Sequence, residues 1–168
     1  GALIVVDLGS DLRPEDFLYS GIKIEAKLST DLLINLFATD TPLHDGAVLV
    51  KGNKIISAGV ILPLSRQGIS RYGTRHLAAL GITERFDRCI CIVVSEETGT
   101  LSLANQGKLE RPITSSRLQE LLIKLVGNLN TSGTQKSSKN KTNSFQKINT
   151  NDNITIKRDL DKQNIIKD

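Results

Sequence analysis

The chain has 168 residues, 39% of them hydrophobic, which is one domain's worth and enough to build a core. Aromatic residues make up only 4% and Trp is absent, so the stacking platforms of single-stranded nucleic-acid binders are poorly supplied. The net charge of +4 is local: residues 130–168 hold eight Lys/Arg against four Asp/Glu, and residues 1–129 hold fourteen of each. The domain itself therefore carries no excess positive field to gather polyanions, and no nucleic-acid partner is expected.

Ala2 to Val6 reads as a short strand, apolar on both faces and interior to a sheet. The stretch through Gly9-Ser10, Arg13-Pro14 and Gly21 has turn chemistry. Ser29 or Thr30 can cap a helix running to about Ala38, with Leu32, Leu33, Leu36 and Phe37 on one side, and Pro42 stops it. Ala47–Lys51 and Lys54–Leu62 read as strands joined by Gly52-Asn53, a two-residue hairpin signal.

After a polar loop from Pro63 to Gly73, Arg75 to about Leu80 reads as a short helix with Thr74 as its N-cap. Ile90–Val94 is the strongest strand pattern; Gly99-Thr100 turns it into Leu101–Ala104, and Asn105-Gln106-Gly107-Lys108 turns again. Cys89 and Cys91 are read as facing opposite sides of the sheet, as two buried thiols that form no disulfide. The last helix carries Ser116-x-x-Gln119 as a capping box and Leu118, Leu121, Leu122, Leu125, Val126 and Leu129 on one face. Beyond it, Asn130–Asp168 lacks apolar periodicity and is expected to be a disordered tail. The fold expected is α/β: one domain, 1–129, with a central mixed β-sheet flanked by helices.

Three polar clusters punctuate this scaffold. Thr41-Pro42-Leu43-His44-Asp45-Gly46-Ala47 puts an acid beside a Gly, which lets backbone and carboxylate approach a ligand together. Gly73-Thr74-Arg75-His76 sets a hydroxyl, a planar fork of donors and an imidazole at a helix start, where free N–H groups favour an anion. Ser95-Glu96-Glu97-Thr98 follows directly on a strand, the usual place for ligand loops in α/β sheets. Taken singly, each has a plain structural alternative: a turn, a cap, a hairpin. Taken together around one crevice they point to metal-assisted phosphate chemistry. No G-x-S-x-G elbow, Walker-A loop or G-x-G-x-x-G is present.

As a set, Thr41–Ala47, Gly73–Ala79 and Ser95–Thr98 resemble the catalytic domain of bacterial diadenylate cyclases, most nearly the membrane-type branch, over residues 1–126. The resemblance implies condensation of two ATP into cyclic di-AMP and two pyrophosphates, with Mn2+ or Mg2+, across a face-to-face homodimer. It implies Asp45, Arg75 and His76 as catalytic residues. Gly46, Ala47, Leu62, Thr74, Arg75, His76, Ser95 and Glu97 would bind ATP, and His44, Asp45 and Glu97 would serve the metal. A catalytically silent module binding ATP or a cyclic dinucleotide, acting through a regulatory protein partner, is the alternative.

Two positions depart from the family pattern: Leu77 where Arg-His is usually followed by Arg, and Ile61 where an aromatic often stands near the adenine. The loop Ser65–Tyr72 is also short. No run of about 18–20 apolar residues is present, and an opening in mid-strand without Met leads us to expect a fragment of a longer protein, its domain cytoplasmic by the resemblance. By the resemblance, that parent is anchored in the cell membrane by segments outside this chain.

Overall fold

The computed structural model describes residues 1–67 and 71–134, with side chains described as far as residue 127. Its strands are β1 (Ala2–Asp7), β2 (Ile22–Lys27), β3 (Ala47–Lys51), β4 (Lys54–Val60), β5 (Cys89–Val94), β6 (Leu101–Asn105) and β7 (Lys108–Ile113). The helices are α1 (Thr30–Leu36), α2 (Thr74–Thr83) and α3 (Ser115–Thr134). The strands form one sheet in the order β2-β4-β3-β1-β5-β6-β7. β1 and β3 are parallel and every other pairing is antiparallel, so the sheet is mixed, as the hairpin signal requires.

Period-two alternation divides the apolar residues between two cores, one on each face. Leu3, Val5, Ala47 and Leu49 join Cys89, Cys91 and Val93 under α2, whose Ala78, Ala79 and Ile82 close that core. Val48, Val50, Ile55 and Ala58 face the other way and meet Leu36, with Leu32, Leu33 and Phe37 packed alongside. Helix α2 lies very close to the chain beneath it: a Cβ on Gly81 would fall 2.1 Å from the Pro63 carbonyl oxygen. Only glycine permits that approach, which seats the helix against the Pro63–Ser65 segment.

Several details differ from the sequence reading. Cys89 and Cys91 share one face and one core, because residues two apart on a strand project the same way. Both are free and buried, and burial together with the neighbouring Cys89 pushes the Cys91 thiol well up. β2 and β7 went unread: β2 has only half-buried and exposed residues, and β7 is interrupted by Pro112, so neither offers an apolar run. β4 ends at Val60, after which Ile61 makes an isolated bridge to Tyr19. α1 stops at Leu36, with the Ser29 hydroxyl accepting from the Leu32 amide at 3.3 Å.

Thr74 is not a cap: Gly73 occupies the N-cap position and makes no side-chain bond, while Thr74 is the first helical residue of α2. In α3 the cap is Thr114, whose hydroxyl accepts from the Arg117 amide at 3.1 Å, so Ser116 lies inside the helix and the capping box does not form. Leu118, Leu121, Leu122 and Leu125 are half-buried as the pattern asks, whereas Val126 is exposed; the Leu129 side chain lies outside the described residues. α3 itself runs to Thr134, and the remainder of the expected tail lies outside the described residues.

Candidate functional site

The parallel strands β1 and β3 start, and the antiparallel β5 ends, at one end of the sheet, so the three clusters converge there. The segment before β3 brings Asp45 and Gly46, the start of α2 brings Thr74, Arg75 and His76, and the turn after β5 brings Ser95 to Thr98. Gly46 is the pivot. Its φ of 142° lies in the region that favours glycine, and a Cβ there would come 2.7 Å from the Gly59 carbonyl carbon. Any side chain at 46 would push the Asp45 loop off the sheet.

Two cavities meet at this end. The first, of about 350 Å³, is polar: Arg71, Thr74, Arg75, His76, Ser95, Glu96, Glu97 and Arg111 line it. The second, of about 330 Å³, is mostly apolar, with Leu3, Val60, Ile61, Leu62, Leu64 and Ala78 set against Asp45 and Gly46. Thr74 and Arg75 line both, forming their common wall. A polar cleft joined to an apolar pocket through one arginine suits a ligand with a charged end and a flat apolar end.

Arg75 is held by Glu96, with Nη1 2.6 Å from Oε2, and its Nη2 lies 4.0 Å from Asp45 Oδ1. The pairing with Arg75 holds the Glu96 carboxyl below the usual carboxylate range. Arg75 Nε, by contrast, is buried without a partner among the described residues. A buried donor left unpaired costs about 1–3 kcal/mol, and its position in the common wall lets an incoming acceptor recover that cost.

His44 and Asp45 form a second small unit. His44 Nδ1 lies 2.6 Å from the Thr41 carbonyl oxygen, which can only accept, so Nδ1 carries the proton. In the neutral ring Nε2 then holds the lone pair, 3.4 Å from Asp45 Oδ1. Of the two, the Asp45 carboxylate, with its side chain 82% exposed, is the donor that could take a hard cation such as Mn2+ or Mg2+, and the imidazole nitrogen is a softer ligand beside it. Glu97 is not gathered with them: among the described residues no three His, Cys, Asp or Glu side chains converge as a ligand set. Cation binding here therefore needs further oxygens from a ligand, as is usual for Mg2+ with phosphates.

His76 is buried at 7% exposure, with Nε2 3.1 Å from the Ser102 hydroxyl on β6. Burial, and then the charge of Arg111, lower its pKa and favour the neutral ring. It borders the polar cleft as a fixed dipole rather than as a reaching cation. Ser95 Oγ accepts from the Thr98 amide at 3.3 Å, which stiffens the turn after β5. Ala47 is fully buried in the core and lines neither cavity, whereas Leu62 supplies apolar wall.

Sequence reasoning passed over Glu96, although it stands inside the quoted Ser-Glu-Glu-Thr cluster, because nothing in the sequence says which of two adjacent acids meets Arg75. It also missed Arg111, whose guanidinium lies 5.5 Å from the Tyr72 ring centre, because β7 itself was not foreseen. Leu77, the departure from the family pattern, is buried, and its carbonyl accepts from the Ser65 amide at 2.9 Å. A cation at 77 would point into core rather than cleft.

Residues 1–109 match the family described as DisA bacterial checkpoint controller nucleotide-binding. A diadenylate cyclase of Listeria monocytogenes is 50% identical over 126 residues, 74% of this chain and 45% of that protein. The cyclic di-AMP synthase CdaA of Bacillus subtilis is 46% identical over 124 residues, 73% of this chain and 44% of that protein. The chain thus spans less than half the length of these relatives. Among solved structures, a double mutant of DacA from Staphylococcus aureus superposes with a TM-score of 0.67 at 40% identity, covering 74% of this chain and 83% of that one. A hypothetical membrane spanning protein from Bacillus cereus gives 0.61 at 43% identity, covering 67% and 55%. With its fold, its convergent clusters and these matches together, the chain belongs to the DisA-type nucleotide-binding family that includes the diadenylate cyclases.

Proposed function

We propose that this domain is a diadenylate cyclase, joining two ATP into cyclic di-AMP with release of two pyrophosphates. The observation that carries the reading is the common wall. Thr74 and Arg75 separate an apolar pocket fit for a purine from a polar cleft fit for a polyphosphate, with Asp45 at the rim, 4.0 Å from Arg75. A nucleotide lying across that wall puts its α-phosphate near Arg75 and its ribose near Asp45.

In the reaction each 3′-hydroxyl oxygen forms a bond to the α-phosphorus of the other ATP. The bond from that phosphorus to the α–β bridging oxygen breaks, and pyrophosphate leaves with the electron pair. Asp45 accepts the hydroxyl proton, and its exposure lets it pass that proton to water. Arg75 neutralises charge that builds on the α-phosphoryl oxygens; positioning and charge stabilisation, not a protein nucleophile, carry such transfers. Mn2+ or Mg2+ held by His44 and Asp45 with phosphate oxygens would supply Lewis acidity and lower the cost of ionising the hydroxyl.

One protomer holds one ATP, so two protomers must face each other, and C2 symmetry meets that need twice over. Among the described residues no helix is long and apolar enough to cross a membrane. The likeness to the membrane spanning protein of Bacillus cereus supports a parent protein that tethers this domain to a membrane.

The test is mass-spectrometric detection of cyclic di-AMP after incubation with ATP and Mn2+ or Mg2+. Product that vanishes in Asp45→Asn supports the reading. ATP binding without product, at concentrations where the protein is dimeric, would move the domain to a silent nucleotide sensor.

A further inference from the structure

The apolar pocket is open on one side, and its rim residues Ile61 and Leu64 are 42% and 51% exposed. A flat heterocycle lodged there keeps one face uncovered by the pocket wall. Ile61 is paired with Tyr19: the Ile61 amide donates to the Tyr19 carbonyl at 2.9 Å, and the Tyr19 amide donates to the Ile61 carbonyl at 3.3 Å. Residues exchanging both bonds across an antiparallel bridge stand about 5.5 Å apart at Cα and project their side chains to the same face. The Tyr19 side chain therefore stands beside that of Ile61 on the same face, adjoining the pocket rather than lining it, and Tyr19 is 51% exposed.

The other aromatic rings are committed elsewhere. Phe17 and Phe86 pack against the core under α2, Phe37 packs against the core on the opposite face, and Tyr72 stands under Arg111 at the polar cleft. Phe145 lies outside the described residues. Among the described aromatics Tyr19 alone is neither core packing nor part of the phosphate-facing cleft. An exposed ring held by backbone pairing beside an apolar pocket is pre-ordered for stacking, and loses little freedom when a base lies on it.

We propose that Tyr19 is the base-stacking residue of this domain, covering the outer face of the purine and so adding affinity for the base over the phosphates alone. The proposal rests on the nucleotide reading above. It places recognition of the base on the loop before β2, a segment outside the three polar clusters.

Calorimetric titration with ATP and, separately, with inorganic tripolyphosphate tests it. Tyr19→Ala is expected to weaken ATP about tenfold, within the range for loss of one aromatic–base stack, while tripolyphosphate binding is unchanged. Tyr19→Phe, which keeps the ring, should retain ATP affinity, and Tyr19→Leu, which keeps apolar bulk alone, should not. In turnover the loss should fall on KM and leave kcat within about twofold. If Tyr19→Ala and Tyr19→Leu bind ATP as the unaltered protein does, or lose ATP and tripolyphosphate equally, Tyr19 is not the stacking residue. If the unaltered protein binds tripolyphosphate but gains nothing from the base, the nucleotide reading fails and this inference fails with it.

Discussion

Two aspartates at opposite ends of the same sheet show how differently one residue type can be used. Asp7 closes β1. Its side chain is 2% exposed, its Oδ1 accepts from the Gly9 and Ser10 amides at 2.8 and 2.7 Å, and Lys51 Nζ lies 3.4 Å from Oδ2. Asp45, before β3, is 82% exposed, with His44 Nε2 at 3.4 Å and Arg75 Nη2 at 4.0 Å as the only basic side-chain nitrogens within 4.0 Å among the described residues. At Asp7 the lone pairs are taken up by the fold; at Asp45 they are left for something else. The sheet end with the filled acid is structural, and the end with the unfilled acid is the candidate site.

That contrast can be broken most directly at Asp45. Asp45→Asn should lower the rate of cyclic di-AMP formation by at least about 100-fold, the range for loss of a positioned base, while the thermal midpoint stays within a degree or two. Retained turnover would show that its exposure means idleness rather than availability.

The mirror experiment is Asp7→Ala. Loss of two amide bonds to a carboxylate and of the Lys51 contact should cost about 2–3 kcal/mol of stability, read by urea denaturation, with turnover per folded molecule unchanged. A drop in turnover without loss of stability would reverse the assignment of the two ends.

Arg75→Ala sharpens the picture within the site. ATP affinity should fall by about 1.5–3 kcal/mol, the worth of a charged hydrogen bond, measured by titration calorimetry. Unchanged affinity would place the phosphates away from the common wall.

The smallest effect concerns His76. Its folded pKa lies below the unfolded value of about 6.5, so between those values the unfolded chain binds the proton that the folded one resists. Stability should therefore decline as pH falls from 7 through 6.5 toward the folded pKa. His76→Gln should flatten that slope, leaving His44 as the remaining histidine; an identical slope in the variant would mean that burial of His76 carries no linkage.

Much of this was legible in advance, for physical reasons. β3 and β5 are largely buried on both faces, and β1 is buried on one and half-buried on the other, so all three read as unbroken apolar runs, and the Gly52-Asn53 turn announced its own hairpin. The three clusters were visible because strand and helix ends are where polar residues interrupt such runs. What stayed hidden depended on pairing rather than pattern. β2 and β7 are edge strands with little to bury, and Arg111 rides on one of them. The tie between Arg75 and Glu96 rather than Glu97 is a matter of which side of a turn faces α2. The bridge from Tyr19 to Ile61 joins two loop residues that no periodicity links.

The ion pair at 2.6 Å between Arg75 and Glu96 means that an anion recruiting the same guanidinium edge does not land on a vacant cation; it enters by exchange. Its net gain is the difference between two attractions, so affinity should respond to ionic strength less steeply than the charges alone suggest. The displaced carboxylate also loses the neighbour that kept it acidic. A ligand that displaced Glu96 from Arg75 would therefore let its carboxyl rise back toward the ordinary carboxylate range.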